Sequence, residues 1–215
     1  MAETGPIPMK ADCILAFDTS AAQCAAALLC GDRVWLKIEA MDKGQAERLL
    51  PLLADLLAEA GVAWRDLAAI AVGTGPGNFT GVRISVAAAR GLALGLGIPA
   101  IGVTRLEALA HGLPRPLTVI EDARRGEVYV QSFTDAGAGP ARIAKPDDLG
   151  AVEVLQTGSG CAGLAEAMPL VQAMAQIAAG RLGSVQPRPA PFYLRGADAA
   201  PPSDPPPLIL DLVAP

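Results

Sequence analysis

The stretch from Leu67 to Pro99 admits few folds. Residues 67–72 form a short, uniformly apolar run, the pattern of a strand covered on both faces. Gly73, Gly75, Gly77 and Gly81 follow with Pro76 among them, and an alanine- and glycine-rich helix then runs from Phe79 to about Leu96. Asn78 or Thr80 is placed to cap its first turn, and Gly97 with Pro99 stops it. A strand, a glycine loop and a helix N-terminus in this order leave two readings open. The loop cradles an anion on free N–H groups, or it turns the chain sharply so that the helix packs close to the sheet. Known phosphate templates fit poorly. A G-x-G-x-x-G pattern from Gly73 meets Asn78 and one from Gly75 meets Thr80, while a Walker loop needs a lysine and none lies between Gly44 and Ala144.

The two long helical stretches share an unusual surface. In Gln45 to Ala60, Arg48, Asp55 and Glu59 make one narrow polar stripe. Leu49, Leu50, Leu52, Leu53, Leu56 and Leu57 cover a broad apolar face, and Pro51 removes one hydrogen bond. In Phe79 to Leu96 the only charges are Arg83 and Arg90, on one stripe among alanines and glycines. A surface helix of a monomer carries a wider polar face. One face of each helix covers a sheet, and the other is expected to meet a separate subunit, the alternative being a neighbouring helix of the same chain.

The remaining chain reads as alternating strands and helices. Cys13 to Phe17 is a strand ending at Asp18-Thr19-Ser20, and strands at 25–30 and 33–40 are joined by Gly31-Asp32. A strand at 98–103 precedes a short helix at 105–111. A second lobe begins near Leu113, with strands at 117–121 and 127–133. Their connection carries Arg124 and Arg125, able to receive a phosphate or a partner carboxylate, or simply solvated. A loose turn at 135–140, a loop into a helical turn at 145–149, a strand at 152–156, a helix from Cys161 and a helix at 170–182 complete it. Nine prolines between Val185 and Pro215 make the end an extended tail, with Pro191–Arg195 as its docking point.

Composition excludes several classes of function. The formal charge of −5 disfavours direct RNA binding by this chain alone. His111 is the single histidine, so an H-x-x-x-H metal pair cannot form and a Ser-His-Asp triad would have to use it. The four cysteines, Cys13, Cys24, Cys30 and Cys161, form no C-x-x-C pair and read as buried, reduced thiols. Met1 to Asp12 lacks an apolar signal core, Met9-Lys10 could be a natural start, and no uninterrupted membrane span is evident, so a cytoplasmic protein is expected.

Gly75-Pro-Gly-Asn-Phe-Thr-Gly-Val-Arg-Ile84 resembles the signature of the TsaB family, which usually has serine where Asn78 stands and leucine where Val82 stands. Ile14 to Ser20, Glu47 to Pro51, Ile98 to Leu109, Asp122 to Tyr129 and Phe192 to Arg195 resemble its successive motifs in order. The histidine frequent in that family before the Ala/Ser-Glu of the first helix is Gln45 here. The resemblance implies an α/β, two-lobed actin-like (ribonuclease H-like) fold with mixed sheets flanked by helices. The expected lobes are 12–112 and 113–184, with a proline-rich tail at 185–215.

It also implies a non-catalytic subunit, without cofactor or metal. Such a subunit supports a TsaD-type threonylcarbamoyltransferase together with a TsaE-type ATPase, touches tRNA only through that complex, and homodimerises when alone. The implied contact uses both long helices, with Leu50, Ala54, Leu57, Arg83, Val86, Ala87 and Arg90 as its expected residues. Asp18, Thr19, Ser20, Gly75, Gly77, Asn78 and Thr80 would then be vestigial phosphate loops. Alternatives are an actin-like ATPase or phosphotransferase acting alone, through Asp18 and the glycine loop, and a peptidase, which a single histidine leaves with little chemistry.

Overall fold

The computed structural model describes residues 13–150 and 154–195. The expected leader, the tail beyond Arg195 and the first two residues of the strand at 152–156 lie outside them.

Two mixed sheets form the two lobes of an α/β fold. The first has the order β3-β2-β1-β4-β5, built from β1 (Cys13–Asp18), β2 (Gln23–Cys30), β3 (Arg33–Ala40), β4 (Leu67–Gly73) and β5 (Ala100–Val103). β1 pairs antiparallel with β2 and parallel with β4. The second sheet joins β10 (Leu155–Thr157), β6 (Leu117–Asp122), β7 (Val128–Thr134) and β8 (Gly137–Ala138), with β9 (Arg142–Ala144) also on β7.

Strand alternation sends the two faces of β1 into different cores. Cys13, Leu15 and Phe17 point toward α1 (Gln45–Ala60) and α2 (Phe79–Leu96), where Leu49, Leu52, Leu53, Leu56, Val82 and Val86 meet them. Ile14 and Ala16 point the other way, toward α3 (Arg105–Ala110) and α4 (Leu170–Ala179). Leu117, Val119 and Phe133 of the second sheet join that same core, so it ties the lobes together. α2 is long and apolar enough to cross a membrane by composition alone. In the fold it lies on β4, with Ser85 buried and hydrogen-bonded beneath it.

Three expectations need correction. The helix expected from Cys161 is absent: residues 161–168 are bends and loop, apart from a single bridge between Leu164 and Thr157. A Cβ on Gly163 would stand 2.3 Å from the Gln156 carbonyl oxygen, so this segment is pressed onto β10. The helix expected to reach Leu182 ends at Ala179, where Gly180 follows. Finally, Cys13 and Cys30 are not separate thiols. They face each other across the β1–β2 ladder, Cα atoms 4.2 Å apart, and are joined as a disulfide.

Cys24 and Cys161 remain free. Burial, then nearby Glu39, pushes the Cys24 thiol up to about 11. The neutral form is the one the fold favours, so this contribution to stability is complete below the ordinary thiol value and is lost as pH rises through about 11. Thiol titration of the denatured, unreduced chain is expected to find only Cys24 and Cys161, and all four cysteines after reduction. Four thiols before reduction would show the cross-strand pair to be open. In the native chain at neutral pH, Cys24 is expected to resist alkylation.

Candidate functional site

The end of β1 and the glycine loop meet as the sequence suggests, but the backbone donors of Thr19, Ser20, Asn78 and Gly81 are turned inward. Asp18, Thr19 and Ser20 are buried. One carboxylate oxygen of Asp18 accepts from the backbone N–H and the hydroxyl of Ser20, both at 2.9 Å. The Thr19 N–H donates to Ser85 Oγ at 2.9 Å, and the Thr19 hydroxyl donates to the Gly81 carbonyl at 2.7 Å. The Asn78 N–H donates to the Ser20 carbonyl at 2.8 Å, and Asn78 Oδ1 caps α2 by accepting from the Gly81 N–H.

The glycines serve close approach. A Cβ on Gly73 would fall 1.9 Å from Asp18 Oδ2, one on Gly77 would meet Ser20, and one on Gly81 would fall 2.0 Å from the Thr19 carbonyl oxygen. Gly75 takes φ 94°, a turn that needs glycine. Thr80 is exposed on the first turn of α2.

This loop forms one wall of a cleft of about 810 Å³ between the lobes. The opposite wall is the β6–β7 connection, where Arg124 and Arg125 hold φ of 62° and 57°, left-handed conformations that cost a non-glycine residue energy. Arg105 of α3 reaches Glu121 of β6 at 2.7 Å, and the second Glu121 oxygen accepts from the Ser159 N–H. Phe192 to Arg195 also line the cleft and touch both of its walls. The Phe192 N–H donates to the Thr74 carbonyl at 2.7 Å. The Tyr193 ring stacks on Phe79 at 4.8 Å, while the Arg83 guanidinium lies 3.7 Å from the centre of the Phe79 ring and donates to the Tyr193 hydroxyl. Arg195 pairs with Glu127 at 2.5 Å and donates to the Ala123 carbonyl.

The outer surface of α1 and α2 is a second candidate site. Leu50 is 50% exposed and Leu94 82% exposed. Ala54 and Ala87 are exposed, and the space beside Gly91 and Gly95 is open. Arg83 is exposed but engaged by Phe79 and Tyr193, and Arg90 is half-buried. Leu57 and Val86 need correction as surface residues: each is only 3% exposed, inside the core beneath the helices. The polar stripe of α1 runs beside β3, with Asp55 and Glu59 still exposed. Arg48 bridges Glu39 and Asp55, and Glu59 meets Lys37.

Two residues of this site are not singled out by the sequence. Ser85 pins α2 to Thr19, and its only signal is a hydroxyl on the buried face of an apolar helix. Tyr193 falls in the expected docking segment, but its partner, Phe79, stands more than a hundred residues away. His111 bonds Gln176 of α4, and among the described residues no three His, Cys, Asp or Glu side chains converge as a metal site.

Comparison with known proteins fits this geometry. Residues 39–183 match the family model described as TsaD: tRNA N6-adenosine threonylcarbamoyltransferase. The chain is 43% identical to the tRNA threonylcarbamoyladenosine biosynthesis protein TsaB of Escherichia coli over 122 residues. That match covers 54% of this chain and 52% of the E. coli protein, so it spans about half of that relative. An uncharacterized protein of Mycobacterium tuberculosis is 34% identical over 202 residues, 87% of this chain and 94% of its own. The solved structure of YeaZ from Pseudomonas aeruginosa aligns with a TM-score of 0.71 at 31% identity, covering 85% of this chain and all (100%) of that one. Fold, motifs and these matches agree: the chain belongs to the TsaB (YeaZ) family.

Proposed function

We propose that this chain takes part in forming N6-threonylcarbamoyladenosine in tRNA as a non-catalytic subunit, binding and supporting a TsaD-type threonylcarbamoyltransferase in the cytoplasm. The names of its relatives support the pathway. The observation that carries the role is the uncovered apolar surface of α1 and α2, with Leu50, Ala87 and Leu94 outward and glycines that allow a second backbone close approach. Without that partner, the same surface brings two copies of this chain together. A TsaE-type ATPase completes the assembly, and tRNA is reached through it rather than through this acidic chain.

The inward-turned loop supports the non-catalytic reading. An anion cradle presents unpaired backbone N–H groups, whereas here the amides of Thr19, Ser20, Asn78 and Gly81 already have protein acceptors. Reconstitution with a TsaD-type enzyme, a TsaE-type ATPase, the threonylcarbamoyl donor and tRNA tests it. Omitting this chain is expected to abolish modification, and the chain alone is expected to release no phosphate from ATP. Phosphate release by the lone chain would instead establish the ATPase reading.

A further inference from the structure

The two lobes are held together on one side by the shared core that α3, α4, β1 and β6 build. Across the cleft, the described contacts are few. Arg105 reaches Glu121, and the segment Phe192–Arg195 crosses from wall to wall. We propose that this segment is a latch: it sets the angle between the lobes and keeps the glycine loop covered, and its release opens the cleft. The latch stands independently of the proposed function.

Its contacts divide between the lobes. The hydrogen bonds and ring contact of Phe192 and Tyr193 go to the first lobe: the Phe192 amide bonds Thr74, its carbonyl oxygen lies 3.1 Å from where a Cβ on Gly75 would stand, and Tyr193 is held by Phe79 and Arg83. Arg195 engages the second lobe only, through Glu127 and the Ala123 carbonyl. Leu194, between them, packs on the shared core. The segment therefore clamps the two walls against each other. Nothing regular stabilises the clamp itself, because residues 191–195 belong to no helix or strand. Tyr193 and Phe79 are each 40% exposed, and a segment held by half-exposed contacts opens far more readily than the strands beneath it. The strained turn at Arg124 and Arg125 stands at the point where Arg195 grips the second lobe, so the latch also restrains that turn.

Hydrogen exchange on the full chain, followed by mass spectrometry, tests the latch. The readouts are the Asn78 amide, bonded to Ser20, and the Ala123 and Glu127 amides, bonded within the β6–β7 connection. In a Tyr193→Ala, Arg195→Ala variant, these amides are expected to exchange about tenfold faster or more, while β1 and β2 keep their protection. Tyr193→Phe keeps the ring stack but loses the Arg83 bond, and is expected to give a smaller increase confined to the Thr74–Asn78 side. Unchanged exchange at both walls would overturn the proposal. So would an equal rise in every strand of both variants, which would mark the segment as ordinary core rather than a latch.

Discussion

Replacing Ala87 by glutamate is expected to abolish stable association with a TsaD-type partner and leave this chain folded. Ala87 lies exposed on α2, so its side chain can grow without meeting the core. Glutamate is nearly as good a helix former as alanine and stays solvated there, so the isolated chain loses at most about 0.5 kcal/mol. In a helix-to-helix contact the outcome reverses. Gly91 and Gly95 mark a surface where a second backbone can come close, and a carboxylate buried there without a dedicated partner costs about 3 kcal/mol or more, roughly a hundredfold in affinity. Titration calorimetry and co-purification read the loss, and thermal melting of the variant alone checks the fold. Complex formation at wild-type strength would show that this face of α2 is not the contact.

The second large effect is in the fold. Gly81→Ala is expected to destabilise the chain by roughly 3 kcal/mol or more, lowering Tm by about 6–12 °C. The added methyl would fall 2.0 Å from the Thr19 carbonyl oxygen and 2.9 Å from its carbon, both backbone atoms. No rotamer relieves that clash. α2 would have to lift from the end of β1, stretching the Thr19–Ser85 and Asn78–Ser20 hydrogen bonds that seat it. Gly91→Ala is the matched control: the same helix and the same added methyl, but with nothing within 4 Å of it. There the better helix propensity of alanine should win, by about 0.5–1 kcal/mol. Equal effects at the two glycines would mean that close approach to Thr19 is not what fixes Gly81.

Much of the fold is legible in the sequence because its elements are locally consistent. The leucine pattern places α1, and Asn78 and Gly97 bound α2, where the structure forms them. The strand runs around Gly31-Asp32 and the apolar run before Gly73 also carry their own punctuation. Local pattern misleads where a distant contact outweighs it. The stretch after Cys161 is drawn off a helix by Gly163 seating on β10, and Cys13 and Cys30 meet only because the hairpin puts them in register. Periodicity puts Leu57 and Val86 on the right helices, but it does not say which side of a nearly all-apolar helix faces the sheet.

For the candidate site, the chain's own residue order determined that a strand, a glycine loop and an apolar helix would meet, and that two helices would lack polar surface, since both follow from periodicity and side-chain size. Tertiary structure alone decided what the loop is for. Whether a backbone N–H faces a cavity or a carbonyl depends in part on groups brought from elsewhere: Asp18 and Asn78 are local acceptors, but Ser85 for the Thr19 N–H and the Ser20 carbonyl for the Asn78 N–H come from distant parts of the chain. The same holds for the cleft, whose lining includes Tyr193 and Arg195 from far along the sequence. Local pattern fixes which elements form; only the packed molecule fixes which polar groups they leave free.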